Sequence, residues 1–144
     1  MRPGILVLED SAARLGWLKD LAKEYDVPVH ATDHVRKFVR ICETFADYAL
    51  CIVLDHDLGG YQMPVSLQDS EGLDGLDAVE RMPLHEALQK SPVLIWSTNH
   101  LEAPKMEEML GARGFTQVTR LAWADERQAI ERRLREWCAQ ASDA

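Results

Sequence analysis

Leu50-Cys51-Ile52-Val53-Leu54 is apolar without interruption, and Asp55-His56-Asp57 ends it abruptly. A strand with one wet face alternates apolar and polar residues. A strand with no polar position must be covered on both faces. Five residues are far short of the roughly 20 needed to cross a bilayer, so protein must supply the cover. Ile5-Leu6-Val7-Leu8 and Val93-Leu94-Ile95-Trp96 are runs of the same kind. The chain therefore needs a buried sheet with a layer of structure on each side.

The segments between the runs have helical periodicity. Leu15, Leu18, Leu21 or Ala22, and Tyr25 share one face. Val27-Pro28-Val29 reads as a short extended piece, and its proline suits an edge strand. Thr32 or Asp33 can cap a second helix with Val35, Phe38, Val39 and Cys42 on one face. Another helical pattern spans Gly75–Met82, where Pro83 kinks or restarts it. Pro104 suits the first turn of a helix through Leu110, stopped near Gly111 or Gly114. Thr116–Arg120 is a weaker fifth strand. Asp125 with Gln128 resembles a capping box opening a last helix, whose stripe is Ile130, Leu134, Trp137 and Cys138. The tail over 141–144 is expected to fray. Leu58–Asp74, with Gly59-Gly60, Pro64 and Gly72, is longer than most connections, which marks it as functional or mobile.

Five strands alternating with five helices predict an α/β fold, a doubly wound parallel sheet with helices on both faces. Right-handed crossovers leave few topologies. The flavodoxin-like order 2-1-3-4-5 is the commonest at this size. The 144 residues suit one domain over 1–144.

Charge narrows the function. The net charge is −8. Residues 1–112 carry −9 and residues 113–144 carry +1. Such a chain is repelled by nucleic-acid backbones, so no binding to them is expected. No signal-peptide pattern opens the chain, and no membrane span is expected. Three cysteines without CxxC spacing read as reduced core residues of a cytoplasmic protein.

In a sheet of this order, ligands bind at the carboxyl ends of the strands, where the order reverses. That point lies between strands one and three. Glu9-Asp10 leaves the first and Asp55-His56-Asp57 the third. Acidic residues after strands are also common as helix caps. Four carboxylates meeting at one point repel each other, and a divalent cation relieves that cost. Glu9, Asp10, Asp55 and Asp57 are therefore candidate ligands for a metal, Mg²⁺ first. Ser97-Thr98-Asn99-His100 follows strand four and offers hydroxyl and amide groups for phosphate oxygens, or a turn. Arg120, ending strand five, is a candidate counter-charge or a solvated surface residue. His56 is a candidate acid or base, or only a charge balance among carboxylates. No Gly-x-Ser-x-Gly elbow and no Lys-Ser/Thr phosphate loop occurs.

Glu9-Asp10, Asp55 and Ser97 after successive strands resemble the receiver domain of two-component response regulators. The resemblance implies that Glu9 and Asp10 hold Mg²⁺, that Asp55 accepts a phosphoryl group, and that Ser97 is the switch hydroxyl. Receivers carry a lysine at the end of strand five. This chain instead reads Val118-Thr119-Arg120-Leu121-Ala122-Trp123. Leu54-Asp55-His56-Asp57-Leu58-Gly59, the long connection, Gly75-Leu76-Asp77-Ala78-Val79, and Ser97-x-Asn99 before a helix with Met106 are similar to a divergent branch. That branch is the cyclic-phosphate-processing receiver-like domains. It implies a metal-dependent phosphoesterase acting on cyclic phosphates or nucleotides, with Asp55, His56, Ser97, Asn99 and Arg120 in catalytic roles. In that branch a histidine precedes the serine, and here Trp96 stands there. Two other readings follow from the resemblance. One is a phosphoacceptor receiver. The other is an interaction module with a protein partner, or a second copy, on the last helix.

Overall fold

The computed structural model describes residues 2–58 and 72–142. Most of the connection after strand three, including Gly59-Gly60 and Pro64, lies outside them. The strands are β1 (Gly4–Leu8), β2 (Val29–Thr32), β3 (Ala49–Leu54), β4 (Val93–Ile95) and β5 (Val118–Arg120). They form one sheet of order β2-β1-β3-β4-β5, and every pairing is parallel. This is the predicted doubly wound architecture.

Alternation along the strands sorts the core into two layers. Leu6, Leu8, Ile52, Leu54, Val93 and Ile95 face one side. There they pack with Val35, Phe38 and Cys42 of α2 (Val35–Thr44), Ala78 and Val79 of α3 (Gly75–Arg81), and Met106 and Leu110 of α5 (Ala103–Ala112). Ile5, Val7, Cys51, Val53 and Leu94 face the other side. Their partners are Leu18, Leu21 and Ala22 of α1 (Ala12–Glu24) and Ile130, Leu134, Trp137 and Cys138 of α6 (Arg127–Ser142). Every strand residue from Cys51 to Leu54 is fully buried, as an unbroken apolar run requires.

Several boundaries differ from expectation. Pro28 precedes β2, which runs on to Thr32 at the sheet edge. Neither Thr32 nor Asp33 is the cap of α2. His34 occupies that position, and the Thr32 hydroxyl accepts from the His34 N–H at 3.2 Å. Pro83 separates two helices rather than kinking one, with α4 at Glu86–Lys90. Met82 before it has ψ 139°, the extended conformation that a following proline imposes. The last helix opens at Arg127, two residues beyond Asp125, and is described through Ser142. Gly114, at φ 91°, ends the turn after α5 in a conformation that disfavours a side chain.

Candidate functional site

Strand register builds the site. Leu8 pairs with Leu54, so Glu9 and Asp55 leave the sheet side by side. Backbone bonds hold both exits: Asp55 N–H donates to Leu8 C=O at 3.0 Å, and Glu9 N–H to Thr32 C=O at 3.1 Å. Glu9 and Asp55 are 1% and 5% exposed. One carboxylate oxygen from each of Glu9, Asp10 and Asp55 lies within 4.8 Å of the others. Three of the four expected carboxylates therefore converge where the strand order reverses.

The first turn of α1 fixes Glu9. Its Oε2 accepts from the N–H groups of Asp10 at 2.9 Å and Ser11 at 3.1 Å. Ser11 caps the helix, accepting from Arg14 N–H at 3.3 Å. The Arg14 guanidinium reaches back over the cluster. Its Nη1 is 3.3 Å from Glu9 Oε1 and 3.8 Å from Asp55 Oδ1. Sequence reasoning missed Arg14. The signal was available, since an arginine in a first helical turn opposes the helix dipole and needs outside compensation.

Burial, and then the neighbouring Asp55 charge, push the Glu9 carboxyl up to about 8. Burial also raises Asp55, against the lowering effects of its hydrogen bond with Glu9 and the Arg14 charge. One guanidinium thus faces two desolvated carboxylates and a third, exposed one. The donor set of hard oxygens and the excess of negative charge fit a divalent cation such as Mg²⁺.

Asp57 lines the same cleft, a cavity of about 210 Å³, with Glu9, Asp10, Ser11, Arg14, Asp55 and Thr98. Its carboxylate is held on the other side. Oδ1 is 2.7 Å from His56 Nδ1 and accepts from Asn99 Nδ2 at 3.1 Å. Burial raises Asp57, but the bonds from His56 and Asn99 outweigh it and hold its pKa below the ordinary value.

His56 points away from the cluster. Its Nε2 lies 3.2 Å from Asp74 Oδ2 and 3.9 Å from Glu102 Oε2, without hydrogen-bond alignment to either. Asp74 caps α3 in a full capping box with Asp77. Asn99 Oδ1 accepts from Leu101 and Glu102 N–H at 3.1 and 3.0 Å, just before α5. His56 and Asn99 therefore clasp the end of β3 to the starts of two helices. Gly75 makes this close fit possible. A Cβ there would sit 2.2 Å from Asp55 O and 2.7 Å from His56 Cα.

Ser97 and Arg120 are not among the residues that line the cleft. Leu54 pairs with Ile95, and Trp96 N–H donates to Leu54 C=O at 3.1 Å. The buried Ser97 hydroxyl accepts from Asn99 N–H at 3.1 Å, and Thr98 is the residue of this segment that lines the cleft. Arg120 Nε bonds Glu107 Oε1 of α5 at 3.3 Å, outside the cleft lining. On α6 the apolar stripe is spent on the chain's own sheet, and Arg132, Arg133 and Glu136 are exposed.

An aromatic wall stands behind Arg14. Trp123, just past β5, meets Trp17 and Trp96 edge-on at 5.2 and 5.1 Å between centroids. The Arg14 guanidinium is 5.4 Å from the Trp123 ring centre and that of Arg127 is 3.5 Å away.

No family model and no curated protein matches the sequence. Solved structures similar to the chain are response regulator receiver and CheY-like domains. The receiver domain of a sensor histidine kinase from Pseudomonas aeruginosa has a magnesium ion coordinated in its active-site cleft. It is 20% identical, with TM-score 0.63 over 96% of this chain and 99% of that one. Vibrio cholerae chemotaxis protein CheY4 is 15% identical, with TM-score 0.64 over 94% and 98%. The response regulator domain of Thermotoga maritima CheB is 16% identical, with TM-score 0.61 over 100% and 98%. Identities this low establish the fold.

Proposed function

We propose that residues 1–144 form one receiver-like domain that binds a divalent cation, Mg²⁺, and beside it the phosphate of a small ligand such as a cyclic phosphate or nucleotide. The observation that carries this reading is the pair Glu9 and Asp55, buried side by side with Asp10 at the mouth. Two desolvated carboxylates facing one guanidinium are strained as a charged pair; without a metal, a proton on Glu9 relieves that strain, and a divalent cation would relieve it while leaving both carboxylates charged. When bound, such an ion supplies Lewis-acid polarisation of a phosphate oxygen.

The chain's own groups set the rest. Asp10 and Ser11 N–H groups orient Glu9, and Asp55 forms the buried side of the cleft. Asp57, pinned by His56 and Asn99, forms its rim. His56 and Asn99 act as positioning residues, because their polar atoms are directed at Asp57, Asp74 and the α5 cap. Cys42, Cys51 and Cys138 are buried and, among the described residues, form no disulfide, which supports a reducing, cytoplasmic setting. Among the described residues no helix is long and apolar enough to cross a membrane. A protein partner or second copy on the last helix would meet the charged face around Arg132 and Arg133.

The test is calorimetric titration of Mg²⁺, then of cyclic nucleotides and 2′,3′-cyclic phosphates, with Asp55→Asn as control. Mg²⁺ binding is expected in the wild type and a loss of at least about tenfold in the variant. Binding unchanged by the substitution overturns the reading. The phosphoacceptor reading is favoured by the placement of Asp55 at the end of β3, beside Glu9 and Asp10. There Asp55 attacks a phosphoryl donor, its oxygen bonding to phosphorus as the donor's leaving group departs with its electron pair. A small phosphodonor with Mg²⁺ distinguishes the two, since stable labelling at Asp55 selects the second.

A further inference from the structure

Arg14 is placed against local preference. It occupies the first turn of α1, a turn with no acidic residue, where the helix dipole disfavours a cation. The cost is offset from outside the helix, by Glu9, Asp55 and the face of Trp123. Its side chain is 17% exposed and lines the cleft, and no other cationic side chain among the described residues does so. Arg120, at the strand end where a phosphate counter-charge was expected, is engaged with Glu107 instead.

We propose that Arg14 is the phosphate-recognising residue of the cleft, held over Trp123 and turned from Glu9 and Asp55 to the ligand's oxygens when those carboxylates bind a divalent cation. This rests on the metal-binding reading above. A cation on Glu9 and Asp55 takes up their negative charge and an oxygen from each, which weakens their hold on the guanidinium. The guanidinium then has unspent donors at the edge of a cleft of about 210 Å³. A guanidinium presents a planar fork of donors that matches two phosphate oxygens, and an aromatic face keeps that plane oriented. Trp123 is itself fixed by Trp17, Trp96 and Arg127. The stack therefore holds the Arg14 guanidinium beside a fixed ring at the edge of the cleft. The ligand class is an anion with at least two free phosphate oxygens, a phosphomonoester, a cyclic phosphodiester or a phosphoryl group.

The experiment uses the full chain as wild type, Arg14→Gln and Arg14→Lys. Mg²⁺ is titrated first by calorimetry, and inorganic phosphate is then titrated at saturating Mg²⁺. Arg14→Gln is expected to lose about 10- to 100-fold in phosphate affinity, the scale of charge-assisted hydrogen bonds. Its Mg²⁺ affinity should be retained or tightened, because a competing cation has gone. Arg14→Lys should retain only part of the phosphate affinity, since an ammonium cannot fork. Phosphate affinity unchanged in Arg14→Gln overturns the proposal. If circular dichroism shows that variant unfolded, Arg14→Lys decides in its place: weakened phosphate binding supports the role and unchanged binding overturns it. Failure of the wild type to bind Mg²⁺ overturns the metal reading itself and the proposal with it, and the first titration alone reveals that outcome.

Discussion

Asp55 and His56 are neighbours in the chain and end on opposite sides of the sheet, in surroundings of opposite electrostatic character. On the Asp55 side, Glu9 and Asp55 are almost fully buried and one arginine serves them both. On the His56 side, Asp57, Asp74 and Glu102 keep 43%, 39% and 28% of their side-chain surface in solvent. The residue types are nearly the same. Burial raises the carboxyl pKa values of the first group, whereas the bonds from His56 and Asn99 lower that of Asp57. Of the two sets of carboxylates, only Glu9 and Asp55 are almost fully buried. The second is a clasp between the end of β3 and the caps of α3 and α5.

The comparison is broken most severely at Gly75, where both sides meet. Gly75→Ala forces a Cβ against the Asp55 carbonyl and should cost about 3 kcal/mol in urea denaturation, with loss of metal binding. Glu9→Gln separates stability from function. It removes one of two repelling buried charges, so the metal-free protein at pH 8 should gain about 2 kcal/mol while Mg²⁺ binding is lost. Destabilisation there would show that Glu9 is a structural cap and nothing more.

Acidity tests the same pair without mutation. Glu9 is raised from 4.5 to about 8, so the fold favours its protonated form. That contribution is complete below the ordinary value and is lost as the pH rises toward 8. Metal-free protein should therefore gain on the order of 1–2 kcal/mol between pH 8 and 6.5, and saturating Mg²⁺ should flatten the profile. His30, lowered by burial, works in the other direction as it takes up its proton, so melting curves are compared down to about pH 6.5. Asn99→Ala, on the other side, should cost only about 1 kcal/mol, the worth of the hydrogen bonds that close the turn before α5, with Mg²⁺ affinity unchanged. A large fall in Mg²⁺ affinity would show that the clasp and the cleft are one unit.

Much of this was legible in advance. The unbroken run Leu50–Leu54 required cover on both faces, and the strand order was the commonest of the few topologies that right-handed crossovers leave. The order then named the reversal point and the residues leaving it. Ser97 was harder to place. The sequence offers the polar residues Ser97, Thr98 and Asn99 in a row after the apolar run, and only the folded chain shows that Thr98 lines the cleft while the buried Ser97 hydroxyl accepts from Asn99 N–H. Arg120 sits at a strand end as expected, but the strand end does not dictate where a long side chain goes, and Glu107 of α5 takes it. Arg14 was visible as an exception to the dipole rule. Its partners were not, because one lies 41 residues away, just past the end of β3.

By itself, then, the sequence determined the layers, the parallel order and the segments that carry the site, because hydrophobic periodicity and connection rules are local. The tertiary structure decided which carboxylates lose their water, which cation meets them, and which stay wet as a clasp. Charge interactions depend on distance and burial, and neither is a property of residues taken one at a time.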